Sequence, residues 1–298
     1  MILPAERYTS SLFMAVLAAC SLLLFANTAM SQTERLTPRS TCQAVAHNQS
    51  GSIRQASSNI DLTSNLTAQS KLGIGEVSIS YVAHSTFRIE DASGLTIATD
   101  YSGTAGPNVI PDVVTMNHAH ITHFTPFPDK RIAHVLRGWQ QNGKPAQYNI
   151  QIDETIIRNV TTDISSFSGH HEKTGNSIFI FEMGGLCIGH LGHLHHLLTD
   201  EHYAEIGRLD VLMVPVDGGV TMNFEDMAKV VKRLNASVVL PMHAFSSFSL
   251  HDFLQQMGKG FPIEHRTGSE LVVSLNTLPA TPTLISLQPE GFIQYFDE

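Results

Sequence analysis

The chain has 298 residues, of which 42% are hydrophobic and 15% charged, and its formal net charge is −9 at pH 7. This length suits one large globular domain or two small ones. The acidic balance excludes a general nucleic-acid binder, because such proteins need basic residues to neutralise phosphates. Sixteen histidines against a single tryptophan point to metal binding.

The first 31 residues have the layout of an export signal. Arg7 precedes an apolar run at 12–25, and small residues precede Gln32. This order is typical of a secretory signal peptide, and the run is shorter than the ~20 residues that a membrane-spanning helix needs. A lipoprotein signal at Cys20 is the alternative, but the apolar run continues past that cysteine. We therefore expect a signal peptide at 1–31, a periplasmic or secreted protein, and no stable membrane anchor.

Residues 32–74 are rich in Ser, Thr, Asn and Gln, which predicts a polar linker or arm in front of a domain at 75–298. Export would leave Cys42 and Cys187 in an oxidising compartment, where two cysteines can pair. Cys187 lies in an apolar stretch, and a small buried apolar role is the simpler interpretation. We predict no essential disulfide.

Strands dominate the first half of the predicted domain. Period-two alternation of polar and apolar residues and a turn at 91–94 indicate consecutive hairpins. The predicted strands are 77–82, 86–89, 95–99, 113–114, 131–139 and 152–160.

Strands then alternate with helices. Residues 177–181 and 186–188 form a further predicted hairpin, followed by a short helix that Asp200 caps and that ends at Ile206. Apolar residues at helical spacing predict a second helix at 224–234. Further strands are predicted at 210–216, 237–240, 271–275 and 292–296. The order of elements indicates an α/β fold.

Histidines follow the ends of these strands. His118, His120 and His123 come directly after strand 113–114 with the spacing H-x-H-x-x-H. Imidazole is the commonest metal-ligating side chain, and residues i and i+2 of a tight loop can hold one ion while i+5 reaches a neighbouring one. A solvated histidine-rich loop is the weaker interpretation. Because loops at one sheet edge converge, ligands distant in sequence can meet there.

Five ordered motifs between about residues 75 and 250 carry a resemblance to a known family. They are His84-Ser85, Thr99-Asp100, the H-x-H-x-T-H run at 118–123, His190-Leu-Gly-His193-Leu, and Pro-Val-Asp-Gly-Gly at 215–219 with Pro-Met-His at 241–243. Together they resemble the metallo-β-lactamase fold superfamily, with the nearest likeness to its ascorbate-6-phosphate-lactonase-like, zinc-dependent hydrolase branch. The resemblance implies an αββα four-layer sandwich with a metal site at one edge. It also implies hydrolysis by metal-activated water.

The resemblance further implies roles for individual residues. One divalent ion, zinc or alternatively manganese, would be held by His123, His193 and His243. A second would be held by His118, His120 and one histidine of the pair 170–171, for which we take His171. Asp100 would brace the metal loop, and His84 would face the substrate or support a ligand. His190 is either a ligand or a brace, and His195 and His196 are expected at the surface or behind a ligand.

Two positions depart from the family motifs. Thr122 and His193 stand where the motifs have aspartate. An all-imidazole site carries more net positive charge, which weakens the retention of two neighbouring cations. We therefore expect a metal-dependent hydrolase of a small-molecule ester, lactone or phosphodiester, with a non-catalytic metal-binding or degenerate member of the fold as the alternative. The sequence near the histidine loops has no phosphate-cradling glycine loop and no cluster of arginines. It therefore gives no support for a phosphorylated sugar as the substrate.

Overall fold

The computed structural model describes residues 39–43, 71–165, 169, 171–244, 247–258 and 261–290, and these ranges contain two β-sheets. The strands are β1 (Val77–Ala83), β2 (Thr86–Asp91), β3 (Thr96–Ala98), β4 (Val113–Met116), β5 (His134–Arg137), β6 (Asn149–Ile152), β7 (Thr155–Ser165), β8 (His171–Met183), β9 (Leu186–His190), β10 (Val211–Pro215), β11 (Val238–Met242), β12 (Ile263–His265), β13 (Glu270–Val273) and β14 (Thr283–Ser286). The six-stranded sheet has the order β13-β1-β2-β3-β4-β5, and the eight-stranded sheet has the order β12-β14-β11-β10-β9-β8-β7-β6.

The two sheets share an apolar core. Ile79 and Phe87 of the six-stranded sheet belong to the same buried cluster as Phe179 and Met213 of the eight-stranded sheet. Alternate residues of each strand point into this layer, as expected where two sheets pack face to face. The predicted α/β class with two facing sheets is confirmed.

Helices cover the outer face of the eight-stranded sheet. They are α1 (Asp200–Ile206), α2 (Phe224–Leu234) and α3 (Ser247–Met257). α2 has the predicted bounds, because its apolar residues lie on one face and Asn223 caps its first turn by accepting from the Asp226 amide. α1 begins at Asp200, but its N-cap residue is Thr199 and not the predicted Asp200. The side chains of Thr199 and His202 form a reciprocal capping box.

Loops cover the outer face of the six-stranded sheet in the described part of the chain. Tyr101 and Ala105 from the loop after β3 and Ile132 from the loop before β5 pack on Val114 and Met116 of β4. Phe124, in the loop that follows β4, packs against the same buried cluster and ties that loop to it. This support positions the histidines of that loop.

Several elements differ from the sequence-based predictions. Residues 152–160 are not one strand, because Asp153 (φ 49°) turns the chain between β6 and β7. β8 extends over the polar residues before 177, since their backbones pair with β7. The helix α3 and the strands β12 and β14 were not predicted, and the predicted strand 292–296 lies outside the described residues, as do the signal segment 1–31 and most of the predicted linker.

Cys42 and Cys187 form a disulfide, which corrects the prediction of no essential disulfide. Their Cα atoms are 5.9 Å apart although 145 residues separate them in sequence. The segment around Cys42 is held further by the Thr41 amide, which donates to Glu182 Oε2 (2.8 Å), and by the Arg208 amide, which donates to the Cys42 carbonyl (2.8 Å). Part of the predicted linker is therefore anchored covalently to β9.

Candidate metal centre

Strand ends bring histidines together at one edge of the sandwich. His84 occupies the turn between β1 and β2, His120 and His123 follow β4, and His243 follows β11 directly. One ring nitrogen from each of these four residues lies within 4.8 Å of the others. Strands β9, β10 and β11 run parallel, so the loops after them meet at the same edge. His193 lies in the loop after β9, and its ring centroid is 4.8 Å from that of His123 and 5.1 Å from that of His243.

Four of the imidazoles form a compact cluster. The rings of His120, His123, His193 and His243 have centroid separations between 4.5 and 5.5 Å for all six pairs. His123, His193 and His243 are buried, whereas His120 is partly exposed. The cluster is therefore buried at the sheet edge, except on the side of His120, which is partly exposed to solvent.

Buried carboxylates hold two of these rings from behind. Asp100 Oδ2 lies 2.5 Å from His123 Nδ1, and Asp217 Oδ2 lies 3.1 Å from His243 Nδ1. All four side chains are fully buried. A histidine that ligates a metal usually donates its other ring N–H to a carboxylate, which fixes its tautomer and orientation.

The other two rings are held by neutral groups. Thr122 Oγ1 lies 2.7 Å from His120 Nδ1, and His195 Nε2 lies 2.7 Å from His193 Nδ1. Thr122 therefore orients His120 instead of supplying the carboxylate that the family motif has at this position. In all four residues Nδ1 has a partner, which leaves Nε2 for a shared ligand.

The Nε2 atoms fit a divalent cation. The Nε2 atoms of His120 and His243 are 3.4 Å apart. Tetrahedral zinc with nitrogen ligands at 2.0–2.1 Å places them roughly 3.3–3.4 Å apart. Within the described residues, the Nε2 atoms of His123 and His193 are buried and make no hydrogen bond. Buried polar atoms without partners are rare and costly, so a ligand at this point would satisfy both.

Burial favours the neutral form of His120, His123 and His193, which metal ligation requires. Desolvation, reinforced by neighbouring histidines, lowers the pKa of His120 and holds the pKa values of His123 and His193 well below the usual range. The same causes lower the pKa of His84 to about 3. Neutral rings can approach one another at these distances without charge repulsion.

The surroundings of the two carboxylates shift their pKa values in opposite directions. Burial raises the pKa of Asp100 to about 6, despite favourable nearby histidines and a hydrogen bond from Asn117. Burial would also raise the pKa of Asp217. Hydrogen bonds from His243, Thr221 and Gly219 outweigh it and hold that pKa well below the usual range. Asp217 therefore stays ionised to a lower pH than Asp100 does.

Three residues of the centre have left-handed backbone conformations. They are His84 (φ 49°), Asp100 (φ 40°) and His243 (φ 56°). Such conformations are uncommon for residues other than glycine, and they often mark functional sites. Here each one turns a side chain at a strand end toward the cluster.

The structure does not bring His118 and His171 into this cluster. His118 is 43% exposed, its Nδ1 lies 2.7 Å from Glu172 Oε1, and its ring stacks on Trp139 at 5.1 Å. His171 is exposed at the start of β8, where its Nε2 lies 3.2 Å from Asp163 Oδ2. The predicted grip of His118 and His120 on one ion is therefore not formed. His170 lies outside the described residues.

His190 is a brace. It is fully buried, its Nδ1 accepts from the Gly192 amide (3.1 Å), and its Nε2 donates to the Ser85 carbonyl (2.9 Å). Both ring nitrogens are thus used to tie the loop after β9 to the turn that carries His84. The sequence left this role open beside a role as ligand.

Two buried asparagines were missed by the sequence analysis. Asn117 Nδ2 donates to Asp100 Oδ1 (2.7 Å), and Asn176 Oδ1 accepts from the His193 amide (2.7 Å). Gly192 lies against both, and a Cβ there would collide with their side-chain amides. The one available signal was a polar Asn176 at the edge of an apolar strand.

Comparisons with known proteins agree with this geometry. A sequence profile described as "Beta-lactamase superfamily domain" matches residues 78–243. A UPF0173 metal-dependent hydrolase of Pyrococcus furiosus is 27% identical over 56% of this chain and 84% of its own length. One from Nanoarchaeum equitans is 28% identical over 55% and 82%, respectively.

A solved structure from Thermotoga maritima, described as a candidate zinc-dependent hydrolase of the metallo-beta-lactamase superfamily, is 30% identical to the chain with a TM-score of 0.52. The match covers 72% of this chain and 100% of that one. The likeness to the lactonase-like branch stays a prediction. Because the profile match spans more than half of the residues, the chain belongs to the beta-lactamase superfamily and has the metallo-β-lactamase fold.

Proposed function

We propose that the chain is a metal-dependent hydrolase whose ion is held by His120, His123, His193 and His243. The observation that carries this proposal is the shared arrangement of the four rings, each with Nδ1 engaged and Nε2 left for a ligand. The names of the relatives, metal-dependent hydrolases, support the same activity.

A bound divalent cation supplies Lewis-acid polarisation of a substrate oxygen and lowers the pKa of water toward neutrality. The protein orients the ligand rings and buries the base of the site. Asp100 and Asp217 fix two rings, and burial keeps the rings of His120, His123 and His193 neutral. His84 is only partly buried and its ring centroid lies 4.1 Å from that of His243, so it borders both the cluster and the open edge. We assign it to contact with the substrate.

The donor chemistry favours zinc and a single ion. Imidazole nitrogen suits zinc, whereas manganese prefers carboxylate, carbonyl and water oxygen. His118 and His171, the residues expected to complete a second site, are paired with carboxylates away from the cluster. One zinc ion per chain is therefore the stoichiometry that we propose.

The test is hydrolysis of a neutral ester, a lactone and a phosphodiester by chelator-treated protein before and after addition of zinc. We expect zinc to restore turnover of at least one substrate class, and His123→Ala to lose both the metal and the turnover. His134→Ala, which alters an exposed histidine of β5, is the matched control and should behave as wild type. Turnover that persists in the metal-free protein, or in His123→Ala, would contradict the proposal.

A non-catalytic metal-binding module is the second candidate. One observation favours it. In the described residues, the group that could hold a metal consists of histidines alone, and Thr122 orients a ring where the family motif has a carboxylate. A carboxylate near the ion can orient the attacking water, which imidazole and threonine do less well. Stoichiometric zinc with no turnover of all three substrate classes would support this candidate.

We also propose that the protein is exported. The disulfide between Cys42 and Cys187 supports an oxidising compartment, because cytosolic reductants keep most thiols reduced. Among the residues that the structure describes, no helix is both long and apolar enough to cross a membrane. Mass spectrometry of the protein from its native host should find the 12–25 segment removed and the two thiols oxidised. Retention of that segment would argue against export.

A further inference from the structure

The loops that carry the proposed ligands, and the start of α3 after His243, carry exposed apolar side chains. Five such residues form what we call the apolar rim: Ile121, Phe127, Leu197, Val220 and Phe248. Ile121 directly follows His120 and is 79% exposed, and Phe127 is 86% exposed. Half of the ten exposed large apolar side chains of the described residues lie within five positions of a proposed ligand or of Asp217. Half of the exposed large apolar side chains in the described residues thus lie in the segments of sequence next to the proposed ligands.

The same loops are almost free of charge. Residues 118–128, 190–199, 216–223 and 243–250 contain no lysine or arginine, and Asp217 is their one acidic residue. Asp217 is fully occupied, because it accepts from Thr221 and Gly219 and lies against His243. The loop after β4 also contains Asp129, Lys130 and Arg131 farther along, and Arg131 is paired with Asp129. Within the four segments given above, an anionic substrate would find no lysine or arginine as countercharge. A neutral substrate meets no such penalty.

An aromatic group extends the rim on one side. His118, Phe124 and Trp139 contact one another with ring centroids 5.1–5.7 Å apart. Glu172 fixes the His118 ring through Nδ1, so this wall is held in place and does not collapse onto the cluster. Phe124 lies one residue after His123, which ties the wall to the centre through the chain.

We propose that the substrate is a neutral ester or lactone with an apolar acyl chain, and that the chain packs on the apolar rim while the carbonyl is presented to the centre. This inference rests on the proposed hydrolase function and specifies its substrate class. In the reaction, water adds to the acyl carbon and the acyl C–O bond breaks. The acyl group leaves as a carboxylic acid, and the released oxygen takes a proton as an alcohol, or as the hydroxyl of the same molecule for a lactone.

The test is a homologous series of 4-nitrophenyl esters from two to eight acyl carbons and of γ-lactones with increasing side chains, with zinc-loaded protein. Each methylene that leaves water should raise kcat/KM by about two- to fourfold, since burial of a methylene is favourable by ~0.8 kcal/mol and the rim is partly exposed. Phe127→Ser and Ile121→Ser should each flatten this dependence on chain length while the zinc content stays at the wild-type value. Val272→Ser, at an exposed apolar residue of β13 away from these loops, is the matched control and should keep the full dependence.

The outcomes separate this inference from the proposed function. Ester hydrolysis that is independent of chain length overturns the inference and leaves the hydrolase standing, as does a preference for bis(4-nitrophenyl) phosphate over every ester. No hydrolysis of any ester, lactone or phosphodiester by zinc-loaded protein overturns both. If Phe127→Ser weakens binding to phosphatidylcholine vesicles but leaves the chain-length dependence intact, the rim contacts lipid surfaces and the inference is wrong.

Discussion

Asp217 shows at the residue scale how one side chain can serve a turn and a ligand at once. Its Oδ1 accepts from the amides of Gly219 (2.9 Å) and Thr221 (2.8 Å), while Oδ2 faces His243. The turn needs an oxygen acceptor only. The imidazole gains from a negative charge, which raises its basicity as a ligand.

Replacing Asp217 with Asn separates these two roles. An amide oxygen can still accept from Gly219 and Thr221, so the loop should keep its conformation. The charge behind His243 is lost, and we expect zinc affinity to fall about 10–100-fold. Competition with a chromophoric chelator measures the affinity, and circular dichroism checks the fold. An unchanged affinity in a folded variant would show that Asp217 serves only the turn.

The three histidines of the loop after β9, His193, His195 and His196, should differ in their response to alanine substitution. His193 is a proposed ligand, His195 acts through His193 Nδ1, and His196 Nε2 accepts from the Asp163 amide away from the cluster. We therefore expect His193→Ala to lose zinc, His195→Ala to bind it more weakly, and His196→Ala to bind it normally. Metal counting after dialysis distinguishes the three. Loss of zinc in His196→Ala with full retention in His193→Ala would refute this assignment.

Some of these residue roles are readable from sequence and others are not. His120, His123, His193 and His243 follow strands whose C-terminal ends meet, so their convergence follows from the order of elements. The position of His118 does not, because its partner Glu172 lies 54 residues away and reaches it only through the pairing of β7 with β8. The i, i+2 spacing alone cannot report which way a loop turns.

At the scale of elements, the disulfide fastens the segment 39–43 to β9. The bond closes a long loop, and loss of a native disulfide from a small secreted domain typically costs about 2–5 kcal/mol. We expect Cys42→Ser to lower the melting temperature, and dithiothreitol to lower that of the wild type but not that of the variant. Equal melting temperatures for all four samples would mean that the bond is absent in solution or contributes nothing.

Glu182 and Arg158 form a second fastening of the same segment. Arg158 Nε donates to Glu182 Oε1 at 3.0 Å, and both side chains are buried. Burial alone would raise the pKa of Glu182, but hydrogen bonds from Ser40, Arg158 and Thr41 outweigh it and the pKa is lowered. A lowered folded-state pKa stabilises the protein above the unfolded-state pKa, and this contribution is lost as the pH falls through the folded-state value.

Glu182→Gln should therefore cost stability at pH 7, and the difference from wild type should shrink as the pH falls below the ordinary glutamate pKa of about 4.3. Urea unfolding at a series of pH values measures it. Breaking one side of a buried pair typically costs about 3–5 kcal/mol. Glu90→Gln, at a partly exposed glutamate of β2, is the control. A difference that grows toward acid pH would contradict the assignment.

Local patterns predicted some elements well and others poorly. Helix α2 carries a clear apolar face and a cap, so its bounds follow from its own sequence. β6 and β7 were merged because the apolar pattern continues across the turn at Asp153. β12 is exposed throughout, and its pairing with β14 comes from the fold and not from any apolar alternation of its own.

For the whole molecule, the order of strands followed by alternating strands and helices indicated an α/β fold, and the two facing sheets were expected from the resemblance to the metallo-β-lactamase superfamily. The same order predicted that distant loops would meet at one edge. Contacts between distant parts of the chain decide three further features. These are which cysteines pair, which loop histidines turn inward, and which sheet face lacks a helix in the described residues. The proposed metal centre lies at the edge where these loops converge on four imidazoles.

X-ray absorption at the zinc edge tests that centre most directly. Zinc-loaded wild-type protein should contain one zinc per chain with imidazole nitrogens at about 2.0–2.1 Å and no zinc–zinc vector. The His134→Ala control should give the same spectrum, and His123→Ala should lose the ion. A spectrum dominated by carboxylate oxygens, a second zinc nearby, or a wild-type protein that retains no zinc would contradict the four-histidine centre.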